Sequence, residues 1–163
     1  MPAAVKLGAF PCGDGTNDVC VWGPSARSVA VRAESGTTPL ERDGEYWRGR
    51  FSGKDYVLVV DGTEWPDPCS RRQPHGVRGP SRVLDTGTFE WTDADSPGLS
   101  LDELVIYELH VGTFSEAGTF AGVEPRLAGL RELGVTAIEL MPVATFPGER
   151  GWGYDGLYAY AAH

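Results

Sequence analysis

The most constraining feature of this chain is a pair of apolar runs joined by a helical repeat. Leu104-Val105-Ile106-Tyr107-Glu108-Leu109-His110-Val111 is almost continuously apolar, the pattern of a strand covered on both faces in a parallel sheet. After Gly112 and a short loop, Val123, Leu127, Leu130 and Leu133 recur at helical spacing, which puts them on one helix face. Gly134 stands where a left-handed C-terminal cap belongs. Val135 to Met141 then reads as a second buried strand, stopped by Pro142. Pro125 fits this helix only in its first turn, where a missing N–H costs nothing, so the helix is expected to begin near Val123. Strand, helix and strand make a βαβ unit, whose edges and faces call for further neighbours; residues 103–163 are expected to be mobile or aggregation-prone without them.

The first part obeys a different rhythm. From residue 5 to about 64, Gly, Pro, Asp and Ser punctuate β-favouring runs at Val19–Trp22, Val29–Arg32, Glu45–Phe51 and Tyr56–Val60, as in a small antiparallel, Ig-like β-sandwich. Ser28 to Arg32 alternates apolar with polar, as a strand with one buried face requires, and Asp43-Gly44 and Asp61-Gly62 are turn signals. Residues 65–102 hold Pro66, Pro68, Pro74, Pro80 and Pro97 with little periodicity, which predicts an extended connector. Its Arg71, Arg72, Arg78 and Arg82 are expected on a solvated loop face rather than pinned to the acidic second part.

Charge narrows the partners. The net charge is −9, running from 0 over residues 1–50 through −3 over 51–100 to −6 over 101–163. No basic stripe offsets it, which argues against nucleic acid or an anionic membrane surface as a partner. Cys12, Cys20 and Cys69 have no metal-ligand spacing and are odd in number, so they read as reduced thiols of a cytoplasmic protein, with no metal site. The opening Met-Pro-Ala-Ala-Val-Lys lacks the apolar stretch of a secretion signal, and no run approaches the roughly 20 residues of a membrane helix.

Several strings together carry a resemblance. VIYELHVGTF at Val105–Phe114, LRELGVTAIELMPV at Leu130–Val143 and FPGERGWGYDG at Phe146–Gly156 resemble the first two barrel strands, and the following loop, of α-amylase superfamily glycosidases. PDPCSRRQPHGVRGPS at Pro66–Ser81 looks like the connector of the maltooligosyltrehalose trehalohydrolase family within it. Val21-Trp22-Gly23-Pro24-Ser25-Ala26 is similar to the Trp-Ala-Pro-x-Ala signature of the sandwich that precedes the barrel in many starch and glycogen enzymes. The resemblance implies a starch-enzyme type β-sandwich at residues 1–64, a connector at 65–102 and, at 103–163, the first β-α-β of a (β/α)8 TIM barrel. That barrel is incomplete here, because eight repeats need about 200 residues or more.

The implied activity is hydrolysis of the α-1,4-glucosidic bond next to the terminal trehalose of maltooligosyltrehalose, releasing trehalose. A retaining glycosidase needs two carboxyl groups about 5–5.5 Å apart. In this superfamily they come from the fourth and fifth strands, so the resemblance places no catalytic residue in this chain and implies that the 163 residues alone are inactive. What it does place here is a substrate-binding loop, with Tyr154 as the aromatic that stacks on the sugar next to the cleaved bond and with Asp155 and Trp152 beside it. The partner is then an α-1,4-glucan, maltooligosyltrehalose. Two other readings stand beside this one: a stand-alone α-glucan-binding or interaction module, and a fragment of a branching or debranching enzyme.

Other residues have plainer expectations. Glu108 and His110 share a strand face and are expected to be buried with hydrogen-bond partners. Glu139 is expected in a salt bridge, with Arg150 the partner. Trp47, Tyr46 and Phe51 either line a glucan groove on the sandwich or, the commoner arrangement, belong to its core. Trp22 is expected in core or interdomain packing.

Overall fold

The computed structural model describes residues 5–163. Eight strands follow one another in the first part: β1 (Gly8–Pro11), β2 (Asn17–Trp22), β3 (Val29–Ala33), β4 (Gly36–Pro39), β5 (Glu41–Asp43), β6 (Tyr46–Phe51), β7 (Asp55–Val60) and β8 (Thr63–Trp65). They form two antiparallel sheets, ordered β1-β2-β6-β5 and β4-β3-β7-β8. Short hairpins set the registers. Val60 pairs with Thr63 across Asp61-Gly62, and both turn residues have positive φ, 49° and 85°, the type I′ geometry that matches strand twist. The Asp61 carboxylate also accepts from the Arg27 and Ser28 N–H groups at 2.9 and 2.8 Å.

One apolar cluster lies between the sheets. Val19, Val21, Trp47 and Phe51 come from one, and Val29, Val31, Tyr56 and Leu58 from the other. Trp47 and Phe51 are 6% and 4% exposed, so they are core and line no groove. Trp22 departs from expectation at 57% exposure. Val21 takes the inner face at the end of β2, and the alternation of the pleat turns its neighbour outward. There its indole N–H approaches the Glu45 carboxylate at 3.5 Å.

Residues 65–102 are mostly irregular, as expected, with a two-residue strand β9 (Ser81–Arg82) on β7 and a 3-10 turn at Leu101–Glu103. They are not a solvated face throughout. Asp67, Ser70, Gln73 and Ser81 are buried and form a small polar core. Tyr56 Oη donates to Asp67 Oδ2 at 2.6 Å, the Cys69 N–H to Asp67 Oδ1 at 2.8 Å, and the Asp67 N–H to Ser81 Oγ at 2.9 Å. Burial pushes the Asp67 carboxyl above its ordinary range and raises the Tyr56 hydroxyl strongly, with the Asp67 charge adding to it; the phenol stays protonated and donates.

Two of the connector arginines are engaged. Arg82 makes two hydrogen bonds to Asp55, and this guanidinium, with His75 beside it, holds the Asp55 carboxyl down at about 2. Arg71 lies 4.0 Å from the Phe10 ring centre and 5.5 Å from that of Tyr160, so it bridges β1 to the last strand through aromatic faces rather than through carboxylates. The cysteines are free thiols.

The second part contains a parallel pair, β10 (Ile106–Leu109) with β11 (Ala137–Leu140). Between them the helix comes in short pieces: α1 (Val111–Phe114), α2 (Phe120–Val123), a 3-10 turn at Glu124–Arg126 holding Pro125 in its first positions, and α3 (Leu127–Leu133). Gly134 has φ 100° and its N–H reaches the Leu130 and Arg131 carbonyls, the expected left-handed cap. The strands are less covered than a two-faced burial pattern predicts. Val105, Ile106, Ile138 and Leu140 are exposed, as is Leu133 on the helix, because no described element packs over them. Glu108 is exposed too, and Glu139 and Arg150 are both exposed without a salt bridge between them among the described residues. A final antiparallel pair, β12 (Ala144–Thr145) with β13 (Tyr158–Ala162), closes the loop at 146–157.

Candidate functional site

The loop between β12 and β13 follows directly on the C-terminal end of β11. Three glycines make close approaches along it: one to Pro142 just past β11, one to Ala144 of β12 and one to Phe146 within the loop itself. A Cβ on Gly153, whose φ is 88°, would run into the Pro142 carbonyl; one on Gly156 would sit 2.6 Å from Ala144 Cβ; one on Gly151 would sit 3.0 Å from the Phe146 ring. Phe146 itself stacks on His163 with ring centres 3.9 Å apart. The backbone is thereby held close to the scaffold while the side chains between the glycines turn outward. Trp152 and Tyr154 are 76% and 70% exposed, and Asp155 is exposed.

The structure therefore brings the three sequence-predicted residues onto one open loop. None of them makes a hydrogen bond to another residue among those described, so their polar groups are free for a ligand. The arrangement offers aromatic faces beside a carboxylate, which suits a polyol whose C–H face is apolar and whose rim is hydroxyl. It supplies no nucleophile with an adjacent base. Among the described residues no group of three or more His, Cys, Asp or Glu side chains stands close enough to hold a metal ion, and no helix is long and apolar enough to cross a membrane.

A cleft of about 440 Å³ opens beside the loop's base, lined by His75, Val77 and Arg78 of the connector and by Phe146, Pro147 and His163. Tyr158 Oη donates to the Val77 carbonyl at 2.7 Å across its edge. Sequence reasoning missed the involvement of the connector here, because Val77 takes part through a backbone atom, and backbone atoms leave no residue-type signal.

Comparison with known proteins decides the relationship. The chain is 45% identical to malto-oligosyltrehalose trehalohydrolase of Deinococcus radiodurans over 97% of its length, and 46% identical to that of Saccharolobus solfataricus over 86%. The chain corresponds to the N-terminal portion of malto-oligosyltrehalose trehalohydrolases. It spans 27% and 26% of those two relatives. A solved structure described as a putative alpha amylase from Salmonella typhimurium superposes with a TM-score of 0.89 at 37% identity, covering 98% of this chain and 28% of that one. No family model matches the chain.

Proposed function

We propose that this chain is the opening portion of a glycosidase that hydrolyses the α-1,4-glucosidic bond adjoining the terminal trehalose of maltooligosyltrehalose. Residues 1–64 are then the starch-enzyme type sandwich, 65–102 the connector and 103–163 the first strand, helix and strand of a (β/α)8 barrel. The observation that carries this reading is the coincidence of 45% identity to a trehalohydrolase with an exposed Trp152, Tyr154 and Asp155 on the loop after the second parallel strand. Barrel sites are built at that end of the strands.

In this reading the Tyr154 ring packs on the C–H face of the glucose beside the cleaved bond, a large contact at low entropy cost. Asp155 accepts hydrogen bonds from sugar hydroxyls, and Trp152 widens the platform. The acid and nucleophile belong to later strands, outside residues 1–163, and the reaction requires no cofactor. The enzyme is then cytoplasmic, and its substrate is an α-1,4-glucan. Burial of Trp47 and Phe51 removes the aromatic groove that a binding module on the sandwich core would have used. The test is to incubate the purified 163-residue chain with maltooligosyltrehalose and measure trehalose. No release is expected from the chain alone; release at an enzymatic rate refutes the assignment of the carboxylate pair to later strands.

A further inference from the structure

Residues 146–156 carry the candidate sugar contacts, yet they form neither helix nor strand. Among the described residues they make one hydrogen bond, between His110 Nε2 and the Gly151 carbonyl at 2.8 Å. His110 sits directly after β10, half-buried, and its other nitrogen lies 3.4 Å from Thr113 Oγ1. A carbonyl oxygen only accepts, so Nε2 must carry the proton; in the neutral ring Nδ1 then accepts from the Thr113 hydroxyl. A Cβ on Gly112 would lie 3.0 Å from His110 Cε1, so the backbone at Gly112 crowds that edge of the ring. The anchored carbonyl belongs to the residue immediately before Trp152, in the stretch that Gly153 presses against Pro142.

We propose that His110 is the positioning residue of the substrate loop: its Nε2–H bond to the Gly151 carbonyl fixes the backbone from which Tyr154 meets the sugar. The proposal rests on the reading of Tyr154 as a sugar contact. It assigns to the end of the first parallel strand a task in ligand binding although its side chain does not touch the ligand. Preorganisation is the physical gain, since a loop already held in its bound form loses less freedom when the sugar arrives. A hydrogen bond of this kind is also what separates an ordered loop from one that opens locally.

Three variants and one spectrum test it. His110→Phe keeps a ring but removes the donor, His110→Gln restores an amide N–H that reaches the same carbonyl, and Tyr154→Ala removes the contact itself. Without ligand, the backbone amide order parameters of residues 151–155 are expected to fall in H110F and to return toward the original values in H110Q. With maltotetraose as the probe, affinity is expected to fall about tenfold in H110F and Y154A and to recover in H110Q. The imidazole nitrogen spectrum of the unaltered chain is expected to show a proton held on Nε2, a readout that needs no variant to fold.

An Nδ1–H tautomer, unchanged loop order parameters in H110F, or failure of Gln to rescue overturns the proposal. If Y154A abolishes maltotetraose binding and H110F leaves it intact, only the positioning role falls. If Y154A binds as the original chain does, or the original chain does not bind, the sugar-contact reading falls and takes the proposal with it.

Discussion

Replacing Tyr56 by Phe isolates one hydrogen bond in the polar core of the connector. The phenol donates to Asp67 Oδ2 at 2.6 Å, and Asp67 is only 2% exposed, so water cannot take the vacant place. The ring itself stays, keeping its tilted contact with Phe51 at 5.1 Å between centres; almost no cavity is created. The loss is that of a hydrogen bond to a charged group, about 2 kcal/mol at neutral pH, which for a chain of 163 residues lowers the Tm by about 4–8 °C.

The pH dependence gives the sharper test. Burial raises the Asp67 carboxyl in the folded chain above its unfolded value, so the folded state binds the proton more tightly and stability falls as pH rises from about 4 through the folded pKa. Tyr56 opposes that rise by favouring the ionised form. Without it the folded pKa climbs further, and the cost of Y56F is expected to be largest at neutral pH and to shrink toward pH 4. Thermal melts followed by circular dichroism at several pH values measure both quantities. A cost below about 0.5 kcal/mol at pH 7, or a larger cost in acid, refutes the reasoning.

Asp55→Asn removes the partner of Arg82. Since the Asp55 side chain is 32% exposed, screening limits the loss to about 1 kcal/mol. A depressed carboxyl stabilises above its unfolded pKa and loses that contribution as pH falls through about 2; urea midpoints of the two proteins are expected to converge between pH 4 and pH 2. Gly153→Ala adds a Cβ at φ 88° that meets the Pro142 carbonyl; local loop resonances are expected to move, and maltotetraose affinity to drop, while the sandwich spectrum stays unchanged. Trp47→Ala is expected to cost about 3–5 kcal/mol by denaturant titration, whereas Trp22→Ala, on the outer face, should stay within about 0.5 kcal/mol.

The parts of the fold that were legible in the sequence are those governed by local rules. Asp61-Gly62 forms its turn because two positive φ values in succession favour such residues, and Gly134 caps its helix for the same reason. The parallel β10–β11 pair follows from two apolar runs flanking a helical repeat. Trp22 lies on the outer face rather than in the sandwich core, because a run of apolar residues does not reveal which parity faces inward. The connector hides its order for another reason: Asp67, Ser70, Gln73 and Ser81 make a core of hydrogen bonds, and polar cores have no hydrophobic period to detect. Glu139 and Arg150 show the limit of pairing opposite charges by proximity in sequence, since their bearing depends on where each strand ends. At the candidate site Trp152, Tyr154 and Asp155 are exposed on their loop, and the three close approaches that hold its backbone involve glycines, whose meaning appears only when the neighbouring atoms are known.

The Arg71 bridge between Phe10 and Tyr160 bears on the order in which the chain matures during synthesis. The hairpins of β1 to β8 close over short separations and can form as soon as they emerge. Phe10 and Arg71 are then already together, with one face of the guanidinium waiting. Tyr160 arrives much later, and its ring then comes within 5.5 Å of the guanidinium, so the last strand makes this contact with a sandwich that has already folded.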